Sequence, residues 1–281
     1  MEKIKQAIEE SKRNRTTDAT QPIEQEVATS RSPQPEPTPV SKATDENIQY
    51  EQTRVVSLDM EHLAKNRIVS FNKHDHLSLG FDILRTQVIS KMQENGWRTI
   101  AITSPTQGCG KSVVSINLAM SIAHHTDTTT MLVDFDLRRP SVGRYLGLPA
   151  GTSLNDVLSG DASVAEALVN PGLERLVILP TARPVQHSSE VLSSKKVSNL
   201  VAEIRDRYAE RIVIFDLTPL LASDDAMIML SKVDCVLVVV GNGMVNNDQL
   251  TETMRYIDSA KLLGTVLNKS ESNQSERYYD Y

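Results

Sequence analysis

Apolar positions along this chain follow two alternating periods. Short aliphatic runs at Arg98–Thr103, Thr130–Asp136, Leu173–Pro180, Arg211–Asp216, Val233–Val240 and Leu262–Leu267 read as strands, the one over Val233–Val240 fully buried. Between them, apolar residues three and four apart predict helices over Leu77–Asn95, Val113–Ala123, Ser189–Tyr208 and Asn246–Ala260. In the first of these the stripe is Leu79, Ile83, Val88, Ile89 and Met92. Residues 141–170 read as three short helices, Val142–Leu146, Thr152–Leu158 and Ser163–Val169. Val55–Leu58 and Ile68–Phe71 read as extended pieces around a turn of helix. Strands alternating with helices predict an α/β fold, a doubly wound and mostly parallel sheet with helices on both faces.

The pattern fails at both ends. Met1, Ile4 and Ile8 recur at helical spacing among charges, so residues 1–15 predict an amphipathic helix, either a docking element or a frayed, solvated one. Residues 16–49 turn to Thr, Ser, Gln and Glu with Pro33, Pro35, Pro37 and Pro39 in alternation, a linker composition that cannot build a core. A folded domain over residues 50–269 and a polar tail over 270–281 complete the expected organisation.

Where the first long strand hands over to a helix stands Ser104-Pro-Thr-Gln-Gly-Cys-Gly-Lys-Ser112. Strand, glycine loop, then Lys-Ser opening a helix is the layout of a phosphate-binding loop, and it makes the sheet P-loop NTPase-like. Gly108 and Gly110 admit a polyphosphate to the backbone N–H groups from Gly108 through Cys109 to Val113. Lys111 is placed to reach the β/γ-phosphates and the Ser112 hydroxyl to ligate Mg²⁺, which together imply a nucleotide polyphosphate. Pro105 occupies the position where the general pattern has glycine. The plainer alternative is a glycine turn followed by a chance Lys-Ser.

Three acids end apolar strands: Asp134 and Asp136 in one, Asp216 in another. The carboxyl ends of parallel strands are where open α/β sheets bind ligands. Residues two apart share a face, so Asp134 and Asp136 are expected at one site, with a capping role for Asp136 as the alternative. Asp216 is expected opposite Ser112, holding Mg²⁺ or its water shell. Asp224 and Asp225 read as helix caps or first-turn charges. Trp97, the one tryptophan, reads as a packing anchor.

Composition narrows the classes. A net charge of −6 without a long basic run argues against a nucleic-acid footprint. Aromatic residues are only 4%, so the core is aliphatic. The two cysteines, Cys109 and Cys235, fit a reducing compartment rather than a disulfide framework. No apolar run reaches a membrane span and no secretion leader opens the chain, so a cytoplasmic protein, peripheral at any membrane, is expected. Three of the seven tyrosines, Tyr278, Tyr279 and Tyr281, fall in the last four residues. They read as phosphoryl acceptors on a mobile arm or as an accidental sticky terminus.

The ordered motifs SPTQGCGKS, LVDFDLRRPSVGRYLGL, LPTARPVQHSSEVLSS, RIVIFDLTPLLASDDA, GTVLNKS and the terminal YYDY resemble a bacterial tyrosine autokinase of the cytosolic type that works with capsule and exopolysaccharide export systems. The resemblance implies that Lys111 and Ser112 serve MgATP. It implies that Asp134 and Asp136 position Mg²⁺ and assist deprotonation of the incoming tyrosine, that Asp216 is metal-associated, and that Asn268 contacts adenine. It further implies phosphorylation of the tail in trans within a homo-oligomeric ring, an activating cytosolic segment of a membrane polysaccharide co-polymerase, and recruitment to the inner membrane through that partner.

The chain departs from the family at four places. Cys109 replaces a usual glutamate in the loop, and a thiol near a helix N-terminus suggests a depressed pKa and oxidation. Thr218 replaces a second proline, which suggests a looser loop. Leu79, Asp82 and Arg85 stand where relatives carry Glu-x-x-Arg-x-x-Arg for ring assembly. The tyrosine cluster is short. The chain also resembles nucleotide-switched regulatory ATPases of partition and division-site selection, but these carry a further lysine early in the loop and positions 104–109 have none. A degenerate nucleotide-binding scaffold is a third reading, disfavoured by the intact lysine, serine and acids.

Overall fold

The structure, a computed structural model, describes residues 53–73, 75–124, 128–207 and 210–270. The expected N-terminal helix, the linker and the tyrosine tail lie outside the described residues. Strands β1 (Arg54–Val55), β2 (Thr99–Thr103), β3 (Thr129–Asp134), β4 (Val169–Asn170), β5 (Leu176–Leu179), β6 (Arg211–Asp216), β7 (Cys235–Gly241) and β8 (Leu262–Asn268) form one sheet in the order β1-β4-β5-β3-β6-β2-β7-β8. All neighbours pair parallel except β4 with β5. The doubly wound α/β sheet read from the sequence is the architecture observed.

Strand alternation builds two cores. Ala101, Met131, Val133, Val213, Phe215, Val236 and Val238 face one side, where α7 (Ser188–Ser193), α8 (Lys195–Asp206) and α9 (Asp225–Leu230) cover them. Ile100, Ile102, Leu132, Ile214, Leu237 and Val239 face the other side. There α1 (Met60–Lys65), α2 (Leu79–Asn95), α3 (Lys111–Ala123) and α4 (Val142–Leu146) pack on the sheet. Burial on both faces explains why these strands read as unbroken apolar runs. Trp97 packs against the second core. Helices α5 (Leu154–Ser159) and α6 (Val164–Ala167) follow the β3 connection, and α10 (Asn247–Arg255) joins β7 to β8.

Several elements differ from the sequence expectation. Ile68–Phe71 is no strand: the Val69 and Ser70 N–H groups donate to Asn117 Oδ1 at 2.8 and 2.9 Å, so a buried side chain on α3 takes the place of a sheet neighbour. The helix expected over Ser189–Tyr208 is two helices. Ser194 between them is extended, and its hydroxyl caps α8 by accepting from Val197 N. Of the two-residue strands, β1 overlaps the extended piece expected from Val55, whereas β4 begins at Val169, inside the helix expected over Ser163–Val169, which stops at Ala167. Helix α10 ends at Arg255, five residues early, and Asn246 with Gln249 forms its capping box. The apolar stripe of α2 divides: Val88, Ile89 and Met92 are buried, whereas Leu79 and Ile83 are exposed.

Candidate nucleotide site at the switch point of the sheet

The strand order reverses around β2, β6 and β3, and the carboxyl ends of these strands carry the site. Between β2 and α3 the loop turns on Gly108 and Gly110, with φ of +82° and +93°. A Cβ on Gly110 would collide with the Asn268 carboxamide, and one on Gly108 would lie 2.9 Å from Met244 Cε. Both positions therefore require glycine. Gly110 is also the N-cap of α3 and gives its first turn no side-chain cap, which leaves those N–H groups available to an anion.

Parallel pairing sets Asp134 of β3 opposite Asp216 of β6. Lys111 Nζ lies 2.8 Å from Asp136 Oδ2 and 3.6 Å from Asp216 Oδ2. The Ser112 hydroxyl donates to Asp216 Oδ2 at 2.5 Å, Ser115 donates to Oδ1 at 3.1 Å, and the Ser141 hydroxyl donates to Ser112 Oγ at 2.9 Å. Asp136 reaches Lys111 and also accepts from Arg139 N at 3.0 Å, so its ion-pairing and capping readings coexist. Asp134 is turned differently from its partner acid. Its Oδ2 accepts from Ser141 N and Val142 N, both at 2.9 Å, at the start of α4, and Oδ1 accepts from Asp136 N.

The electrostatics follow from three acids and one base in a dry space. Burial works against the Lys111 ammonium, yet the charges of Asp216 and Asp136 outweigh it and push its pKa up to about 12. Burial, reinforced by the charge of Asp216, pushes Asp134 up to about 8 against its backbone hydrogen bonds and Lys111. Burial raises Asp216 as well, opposed by Lys111 and Ser112.

Lys111, Ser112 and Asp136 line a cleft of about 440 Å³ whose walls include Gln107, Arg138, Arg139, Arg144, Tyr145 and Pro219, with Asp134 and Asp216 buried behind them. Asn268 stands at the end of β8 and donates to the Cys109 carbonyl at 2.9 Å, tying the last strand to the loop. Cys109 itself is buried, with its sulfur 3.6 Å from Thr106 Oγ1. Proximity to a helix N-terminus does not make it an exposed thiol. Thr218 does not loosen its loop: its carbonyl accepts from Thr103 at 2.7 Å and its hydroxyl from Ser223 at 3.2 Å. Asp82 and Arg85 pair with each other at 2.8 Å and both bond Ser121 of α3, so the one arginine kept from the ring-assembly pattern is engaged within its own chain.

Sequence reasoning missed the partners of Asp225. It is the first-turn acid of α9, as read, with Asp224 at the N-cap position, but buried at 1% exposure it also accepts from Ser188 Oγ at 2.6 Å and from Arg138 Nε and Nη2 at 3.1 and 3.3 Å. Its position beside Asp224 in a capping context concealed it.

The donor set suits Mg²⁺ with a nucleotide. A hydroxyl and a carboxylate converge at Ser112 and Asp216, both hard oxygen donors. Among the described residues no three His, Cys, Asp or Glu side chains form a metal-holding group. Fold and loop together define a protein of the P-loop NTPase type.

The AAA domain family matches residues 97–269. Tyrosine-protein kinase CpsD of Streptococcus pneumoniae serotype 4 is 30% identical over 61% of this chain and 76% of its own length. The succinoglycan biosynthesis transport protein ExoP of Rhizobium meliloti is 30% identical over 66% of this chain, and the chain spans about a quarter of such longer relatives. The crystal structure of the chimerical protein CapA2B2 superposes with a TM-score of 0.67 at 26% identity, covering 78% of this chain and 94% of that one. Within the P-loop NTPase class, the chain belongs to the bacterial tyrosine autokinases, a family of protein-tyrosine kinases.

Proposed function

We propose that this chain uses MgATP to phosphorylate Tyr278, Tyr279 and Tyr281 of its own tail, in trans within a homo-oligomer, and so regulates exopolysaccharide or capsule biosynthesis or export. The observation that carries the reading is the set Lys111, Ser112, Asp136 and Asp216 drawn to within hydrogen-bond reach at the mouth of the phosphate loop. The loop from Gly108 to Val113 binds the phosphates, and Lys111 leaves its carboxylates for the β/γ-phosphates. Ser112 and Asp216 would hold Mg²⁺, whose charge would offset that of the phosphates, while Asp134 fixes α4 and, ionised beside the metal, would add its charge to the water shell. Asn268 braces the loop on the side where adenine would lie.

In the transfer, the phenol oxygen bonds the γ-phosphorus and the bond to the β–γ bridging oxygen breaks, its electron pair leaving on ADP. The phenol proton passes to Asp136, released by the departure of Lys111. Among the described residues no helix is long and apolar enough to cross a membrane. Activation by the cytosolic segment of a membrane co-polymerase would bring the chain to the inner membrane.

The test is incubation of the full chain with MgATP, with and without that segment, and detection of phosphotyrosine in wild type, Lys111→Ala and a chain ending at Arg277. Signal in wild type that vanishes in both variants supports the reading. ATP hydrolysis without phosphotyrosine in either condition rejects it in favour of a regulatory ATPase.

A further inference from the structure

We propose that Arg138 is the cation that grips the γ-phosphoryl group, and that Asp225 and Ser188 are positioning residues that hold it for this task. The inference rests on the nucleotide reading above and names a group which that reading leaves unused.

Arg138 follows β3 by four residues and lines the same cleft as Lys111 and Ser112. One edge of its guanidinium is fastened: Nε and Nη2 fork onto the two Asp225 oxygens, and Nε also reaches Ser188 Oγ at 3.2 Å. Ser188 in turn donates to Asp225, closing a triangle of arginine, carboxylate and hydroxyl, and Asp224 Oδ1 lies 3.7 Å from Nη2 on the same edge. The anchor is dry, with Asp225 at 1% exposure, but the arginine side chain is 47% exposed. Here Nη1 makes no hydrogen bond to the described residues, and the side chain also walls a second cavity of about 390 Å³ with Val185, His187 and Ser189.

The guanidinium thus stands between two open spaces with one edge fixed and the other free. That is the placement required to span a donor phosphate and an incoming acceptor. A planar fork suits the charge spread over the equatorial oxygens of a loose phosphoryl transition state. Anchoring removes the rotamer entropy that a free arginine would lose on binding. The other two arginines of the cleft lack such an anchor: Arg139 bonds Gln107 and Arg144 lies over the Tyr145 ring.

The experiment measures, on the full chain, the affinities of a non-hydrolysable ATP analogue and of ADP with Mg²⁺, together with phosphotyrosine formation and melting temperature. Arg138→Gln is expected to weaken the triphosphate analogue about tenfold while sparing ADP, and to slow transfer on the order of 10³-fold. Asp225→Asn moves both readouts the same way, with a loss of transfer on the order of 10²-fold from misplacement. Arg138→Lys restores affinity for the analogue without restoring transfer, because a point charge lacks the fork. Equal affinities for both nucleotides in wild type and Arg138→Gln, with only a lower melting temperature, would reduce the triangle to a structural ion pair and overturn the proposal. A wild type that binds both nucleotides but forms no phosphotyrosine rejects the kinase reading; the ratio of the two affinities still decides the role of Arg138.

Discussion

Asp134, Asp136 and Asp216 surround a single ammonium, so the site holds more negative charge than Lys111 can balance. The excess is relieved by protons. Asp134 is raised to about 8, from 3.8 for an ordinary aspartic acid, so between those values the folded chain binds more protons than the unfolded one. Its contribution to stability is therefore full at low pH and is lost as pH rises through this window. Melting temperatures of metal- and nucleotide-free protein are expected to fall between pH 6 and 8, and Asp134→Asn to flatten that slope; a flat wild-type profile would contradict the assignment. Gly110→Ala should cost on the order of 2 kcal/mol for a side chain in the left-handed region and abolish nucleotide binding, since the Cβ meets Asn268. Chemical denaturation and nucleotide titration of one preparation check both effects. At this scale Lys111, Ser112 and the strand-end acids were legible because motif spacing fixes where such groups emerge. The fork of Arg138 on Asp225 joins residues 87 apart and left no mark on any local pattern.

Elements in this chain are fixed as much by side chains that replace backbone partners as by periodicity. Asn117 accepts from Val69 and Ser70 and donates to the Arg67 and Val113 carbonyls at 3.0 and 2.9 Å, stitching the segment before α2 onto α3. Asn117→Ala leaves buried N–H groups without acceptors. A loss on the order of 3 kcal/mol is expected in urea unfolding, against almost none for a solvent-facing substitution such as Glu94→Ala. Ser194 shows the same principle: a hydroxyl that caps one helix ends the previous one, and a continuous apolar pattern conceals the break. Helices with a Gly C-cap, such as α2 at Gly96 and α4 at Gly147, were bounded closely from sequence, because the left-handed residue that ends them is written as glycine.

At the scale of the whole molecule, one sheet is shared by two cores, and neither layer of helices keeps its apolar face covered without it. Unfolding should therefore be a single transition. Trp97 fluorescence and far-ultraviolet dichroism are expected to coincide in urea, and a separated early phase would show the layers to be independent. The sequence by itself determined the α/β class, the strand and helix order, the phosphate loop and the acids at the strand ends, because each is carried by neighbours a few residues apart. Only the tertiary structure decided that Asp134 turns to the start of α4 while Asp136 meets Lys111, that Cys109 is buried, and that Asp225 holds Arg138 at the cleft. These outcomes depend on which strands become neighbours and which face of each loop they close. That is set by long-range packing, to which spacing along the chain is blind.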